Sequence, residues 1–139
     1  MDWKIELVVV SVADVDRAKA FYVDRAGFTL DVDHSAGEDF RVVQLTPRGS
    51  ACSIALMKNV DAAGSAQGLQ LIVADIDSAR TELAERGLDA GEPFHFDKDT
   101  GAQLPGPDPG RTDYNSFLTF SDPDGNRWMV QEVGRAAGS

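Results

Sequence analysis

The chain repeats itself. Leu7-Val-Val-Val-Ser-Val-Ala-Asp14-Val-Asp-Arg-Ala18 matches Gly68-Leu-Gln-Leu-Ile-Val-Ala-Asp75-Ile-Asp-Ser-Ala79 at a constant offset. Such a repeat narrows the choice of fold sharply, because each copy is one supersecondary unit that must bury its apolar face against a neighbour. In both copies an apolar, β-branched run reads as a strand. The Asp that follows is placed to cap a helix by accepting hydrogen bonds from free backbone N–H groups. Val15, Ala18 and Tyr22, then Ile76, Ala79 and Leu83, share the i, i+3, i+7 spacing of a single buried stripe. Gly27 and Gly87 each precede an apolar residue, as expected where a helix closes in the left-handed region.

Three β-like runs follow each helix: 29–33, 40–46 and 51–57, then 90–97, 116–121 and 127–133. Each half therefore reads βαβββ. Asp122-Pro-Asp-Gly125 is a type I turn signal between the last two strands, and Thr46-Pro-Arg-Gly49 is its counterpart. The second half is the longer, and its extra residues fall between Asp97 and Asn115 in a Gly/Pro-rich stretch that predicts a loop. A half of about 60 residues is marginal alone, so the two are expected to share a core as one domain.

Composition excludes several classes. The 139 residues carry a net charge of −10, with no basic stripe for neutralising phosphates, which argues against nucleic acid. The longest apolar run, Leu7 to Ala13, is flanked by acids, lacks the basic n-region and small-residue cleavage site expected of a secretory leader, and is far too short for a membrane span. Cys52 is the only cysteine, which fits a reducing, cytoplasmic setting and reads as a small packing residue.

VADVDRAKAFYVDRAGF near the start and FLTFSDPDGNRWMVQEV near the end resemble the vicinal oxygen chelate superfamily, which includes glyoxalase I, extradiol dioxygenases and bleomycin-resistance proteins. The resemblance spans residues 4 to 133 and implies an α+β fold of two tandem βαβββ modules whose mixed sheets form a curved cleft. Module one would run from about 4 to 58 and module two from about 66 to 133, followed by a tail, 134–139, in a chain that pairs as a homodimer. Metal-dependent members hold a divalent ion through His, Gln or Glu on the first and last strand of each module, where it acts as a Lewis acid. Those positions are Leu7, Gly68, Ser53 and Met129 here. None is a usual ligand, so no metal and no other cofactor is expected.

In that register Leu7, Val9 and Ser11, with Ser53, Ala55 and Met57, line the cleft from the first module. Gln70, Ile72, Met129 and Gln131 line it from the second. Apolar walls with a few hydrogen-bonding groups suit a small organic molecule, though residues that merely fill space between two sheets are the competing account. Ser11, Ser53, Gln70, Met129 and Gln131 are the candidate ligand-binding residues, joined by His95, Arg111 and Tyr114 around the long loop. For His95 the bland reading is a structural bond to a backbone carbonyl. Trp3 and Trp128 are read as ligand-stacking, core or dimer-contact residues. The acidic charge favours a cationic ligand. The leading expectation is thus a metal-free binding protein that resembles the bleomycin-resistance proteins, with sequestration of an antibiotic as its function. The alternative is a metal-dependent lyase, isomerase or dioxygenase with unconventional ligands such as Glu132 or His95 in a shifted register. In the register kept, Glu6 and Glu132 lie on the opposite face, paired or near an exposed edge. No catalytic residue is assigned.

Overall fold

The structure, a computed structural model, describes residues 1–135, so the last residues of the expected tail lie outside the described residues. The valine-rich run forms β1 (Leu7–Val12), and Asp14 starts α1 (Val15–Ala20) by accepting from Arg17 N at 3.0 Å. A π-helical turn, Phe21–Arg25, extends α1 to Gly27, whose φ of 79° closes the helix. β2 (Thr29–Ala36), β3 (Phe40–Thr46) and β4 (Ser53–Lys58) complete the first repeat. β5 (Leu69–Val73) and α2 (Ile76–Glu85) open the second in the same way, with Asp75 accepting from Ser78 N at 3.0 Å. β6 (Phe94–Phe96), β7 (Gln103–Pro105), β8 (Phe117–Ser121) and β9 (Arg127–Glu132) follow. No helix of the described residues is long and apolar enough to cross a membrane.

The fold is α+β, with two mixed sheets. One has the order β1-β4-β3-β2, the other β5-β9-β8-β6-β7, and in each the opening strand runs parallel to the closing one. A parallel pair needs a long crossover, which the helix and the intervening strands supply. The expected loop between Asp97 and Asn115 is corrected in part: Gln103–Pro105 pairs with Phe94–Phe96 as a short antiparallel ribbon. Pro105 in the strand and the nearby Gly101 and Gly106 disguised it as pure loop.

The chain divides into two compact units, the first being Met1–Gln67 with the turn Asp122–Asn126, the second Gly68–Ser121 and the residues from Arg127 onward. In the first, Val10, Val12, Val43, Leu45 and Leu56 are fully buried together with Ala18 and Tyr22 of the helix. Val9, on the other face of β1, is 51% exposed. This is the register expected from the sequence: Val10 and Val12 face the helix, while Leu7, Val9 and Ser11 face away. In the second unit Ile76, Leu83, Leu118, Val130 and Trp128 form the core, and Trp128 stacks on Phe120 with ring centroids 6.0 Å apart. Trp128 is thereby a core residue, whereas Trp3 is exposed.

The turn that joins β8 to β9 is anchored inside the first unit. Tyr22 donates to Asp122 Oδ2 at 2.7 Å, Arg17 pairs with Asp124 at 3.0 Å, and Asn126 Nδ2 donates to the Ser11 carbonyl at 3.0 Å.

Candidate functional site

Each sheet has one face covered by its helix and one open face. In the second unit the open face follows from strand pairing: Gln70 lies beside Met129 and Thr119, then Ile72 beside Gln131 and Phe117, with Phe94 next to Phe117. Three phenylalanines meet there. Phe94 stacks on Phe117 at 5.5 Å, and Phe96 meets both edge-on at 5.8 and 5.6 Å. Asn115 fixes Phe96 by accepting from its N–H at 3.1 Å and donating to its carbonyl at 3.0 Å, in place of a neighbouring strand. Beside this platform Gln131 Nε2 donates to Gln70 Oε1 at 3.2 Å, which leaves the Gln131 carbonyl and the second Gln70 amide edge for another partner. The alternation read from the sequence puts Gln70, Met129 and Gln131 on one face, as the pairing does, but it left out the phenylalanines. The Phe-His-Phe alternation was the available signal, since it puts both rings on the face that His95 avoids.

On the open face of the first sheet Leu7 lies beside Ser53, Val9 beside Ala55 and Gln44, and Ser11 beside Met57. Ser53 Oγ is 2.6 Å from Thr46 Oγ1, and Thr46 in turn donates to the carboxylate of Asp31. Asp31 is the extra residue of a β-bulge, because pairing slips between Leu30 and Val32. A bulge re-aims a side chain, and here it turns a carboxylate toward Thr46. Glu6 also reaches this face, accepting from Gln44 Nε2 at 3.3 Å. That corrects the expectation for Glu6: it precedes the first ladder residue of β1, so strict alternation does not govern its long side chain.

His95 is 8% exposed and its Nδ1 lies 2.7 Å from the Gly106 carbonyl, a donor bond on the face opposite the phenylalanines. Arg111 likewise sits away from the open face. Its Nε and Nη2 donate to Glu132 at 3.1 and 2.6 Å, and Nη1 donates to Asp77 at 3.3 Å. Glu132 is 0% exposed and also accepts from Ile76 N at 3.0 Å at the start of α2, so it is paired but lies at no exposed edge. The Arg111 guanidinium, being the strongest donor near a buried carboxylate, is drawn to the helix side and not over the open face. It holds the Glu132 carboxyl below its usual range. The N–H of Ser78 does the same for Asp75. Tyr114 is exposed with φ 66° and its N–H donates to the Glu132 carbonyl, while Arg111 has φ 49°. Two non-glycine residues in the left-handed region are a strained arrangement, and they fall where the loop is fastened to β9.

The strand pairing also revises the count that located the family's metal positions. Val12 pairs with Lys58, and Val73 with Glu132, although both valines precede their capping Asp equally. The counterpart of Met129 is therefore Ala55, and that of Ser53 is Arg127, because the turn before β4 is longer than the turn before β9. Leu7, Gly68, Ala55 and Arg127 present no lone pair to a cation, Met129 is a soft thioether and Ser53 a neutral hydroxyl. These residues do not fit the divalent ion held by metal-dependent members of the superfamily that the sequence resembles. No group of three or more His, Cys, Asp or Glu side chains suited to a metal occurs among the described residues. A groove of about 710 Å³ lies elsewhere, between α2 and the β6–β7 ribbon, lined by residues that include Asp77, Arg80, Pro93 and Pro105. It is built on the helix-covered side and shares none of its residues with the open faces.

Comparison with known proteins follows the same lines. The sequence model of the Glyoxalase/Bleomycin resistance protein/Dioxygenase superfamily matches residues 4–130. TnmS3, an antibiotic binding protein from Streptomyces sp. CB03234, is 30% identical with a TM-score of 0.72, over 95% of this chain and 97% of its own. A superfamily member from Sphaerobacter thermophilus DSM 20745 is 26% identical with a TM-score of 0.67, over 94% and 98% of the two chains. The uncharacterized protein YetH of Bacillus subtilis (strain 168) is 25% identical over 93% of this chain and 98% of its own.

Proposed function

Because the chain belongs to the glyoxalase/bleomycin resistance protein/dioxygenase superfamily, we propose that it binds a small organic molecule on its open sheet faces without the metal of its catalytic relatives. The observation that carries this reading is the platform of Phe94, Phe96 and Phe117 beside Gln70, Gln131 and Met129. Apolar rings supply area, and the amides fix orientation, which is what recognition of a planar organic molecule requires. The likeness to TnmS3 supports an antibiotic as the ligand and sequestration as the purpose. The net charge of −10, and the carboxylates of Glu6 and Asp31 bordering the first open face, support a ligand with cationic or hydrogen-bond-donating groups. Ser11, Ser53, Gln70, Met129 and Gln131 are the proposed contacts, now with the three phenylalanines. Tyr114 remains a proposed contact from the loop, and His95 and Arg111 act as supports of that loop. The proposed organisation is one superfamily domain of two modules, about 4–58 and 66–133, working in the cytoplasm.

A thermal-shift screen across antibiotics, aromatic cations and divalent metals tests the reading, since a ligand selective for the folded state raises its apparent stability. Phe96→Ala is then expected to weaken any organic ligand found by about tenfold while leaving the unfolding temperature nearly unchanged, because Phe96 is 37% exposed. Titration calorimetry reads the affinity, and an unaltered constant rejects the platform. A stoichiometric divalent ion whose removal abolishes activity favours the enzyme reading instead.

Trp3 and Ile5, 89% and 72% exposed on the segment before β1, and Val9 and Ile72 on the open faces leave more apolar surface bare than a monomer normally keeps. They support a homodimer. Light scattering is expected to give twice the 14.9 kDa chain mass, with Trp3→Glu shifting the protein toward monomer.

A further inference from the structure

The hydrogen-bond chain Asp31–Thr46–Ser53 has a direction, and the direction selects ligands. An ionised carboxylate only accepts, so Thr46 spends its one hydroxyl proton on Asp31. The Thr46–Ser53 contact at 2.6 Å still needs a donor, and Ser53 alone can provide it. Ser53 Oγ is then left with lone pairs and no proton. Among the described residues no other donor reaches that oxygen. Its main chain is occupied separately, Ser53 N donating to the Glu6 carbonyl at 2.9 Å. Ser53 is 6% exposed and lies beside Leu7, its partner on β1.

We infer that Asp31 and Thr46 are specificity-determining residues that hold Ser53 as an acceptor, so that this face takes a ligand presenting a hydroxyl or ammonium donor and rejects the same ligand with an ether there. This rests on the small-molecule reading above. An isolated Ser hydroxyl discriminates poorly, because it rotates to donate or accept as its partner demands. One locked by a carboxylate leaves an acceptor-bearing ligand facing lone pairs without a proton, which is costly once water is excluded. The charged side chains on this face, Asp31 and Glu6, are both carboxylates, which favour a donor-bearing ligand over an acceptor-bearing one.

Neutron diffraction from a deuterium-exchanged crystal tests the relay without any ligand. Deuterium is expected on Thr46 Oγ1 toward Asp31 and on Ser53 Oγ toward Thr46; a Thr46 deuteron aimed at Ser53 overturns the inference. The ligand side uses 2-naphthol and its methyl ether, 2-methoxynaphthalene, titrated against the ¹⁵N-labelled protein. The alcohol is expected to bind at least fivefold more tightly and to shift the Ser53 amide, the ether to leave that amide still. Thr46→Val frees the Ser53 hydroxyl to donate and is expected to erase the difference. Asp31→Asn, which can donate to Thr46, is expected to erase or reverse it. Retention of the wild-type preference in both variants overturns the inference. Equal binding of the two probes to the wild-type protein overturns it too, while leaving the small-molecule reading intact. Failure of both probes to bind either open face counts against that reading as well.

Discussion

Replacing Glu132 by Gln is expected to lower the unfolding temperature by roughly 10 °C, a loss of about 3 kcal/mol. The carboxylate is fully buried and accepts three hydrogen bonds, two from Arg111 and one from Ile76 N. An amide in its place turns an NH₂ group toward a guanidinium or toward the helix N–H, donor facing donor. Asp75 and Asp77 remain within 3.7 and 3.3 Å of Arg111, so the guanidinium is not wholly abandoned, which keeps the loss at the lower end for a broken buried pair. The same pair makes stability depend on pH. Arg111 holds the folded-state carboxyl below its ordinary value of 4.5, so its contribution is fully present above that value and is lost as pH falls through the folded-state value. The gap between wild type and Glu132→Gln is therefore expected to be constant near neutrality and to narrow below about pH 4. Thermal melts of both proteins across that range check it. A gap that does not narrow in acid would mean that the amide is penalised by shape and not by lost charge.

This residue also marks where the sequence stops being legible. The repeat, the capping Asp14 and Asp75, the closing glycines and the face assignment of β1 all rest on local rules, and they agree with the observed elements. Gln70, Met129 and Gln131 could be placed on one face because alternation in a strand is rigid. What escaped depended on contacts distant in sequence. Arg111 looked like a loop cation until the fold brought Glu132 to it from β9. Nothing in the local pattern singles out Asp31, and only the bulge, set by the pairing of β2 with β3, turns it toward Thr46. The phenylalanine platform needed the pairing of β6 with β8, which joins Phe94 to Phe117 across the whole loop. The short strand β7 was hidden because Gly and Pro flank it, and its pairing with β6 is tertiary in origin.

The largest single loss is expected at Asp122, where a turn signal conceals a buried anchor. Its carboxylate, in a residue 5% exposed, accepts from Tyr22 OH at 2.7 Å, Asn126 Nδ2 at 2.8 Å, Asp124 N at 2.9 Å and Asn126 N at 3.0 Å. Asp122→Ala leaves these donors without their acceptor in a site too closed for water to replace it, and should cost about 4 kcal/mol. Tyr22→Phe removes only one of the four bonds and should cost about 1.5 kcal/mol. Denaturant titration separates the two, with unchanged m-values showing that stability and not compactness has altered. Equal losses would mean that Asp122 acts only through Tyr22. The effect is expected to spread along one route. Asn126 is oriented by Asp122, donates to the Ser11 carbonyl and accepts from Ala66 N at 3.0 Å. The turn is also seated against Gly64, where an added methyl would lie 2.1 Å from the Asp124 carbonyl oxygen. In Asp122→Ala, hydrogen exchange should therefore accelerate first at Ala66, the C-terminal end of β1 and the turn itself. The β3–β4 ladder behind Ser53 stays protected until the first unit unfolds as a whole.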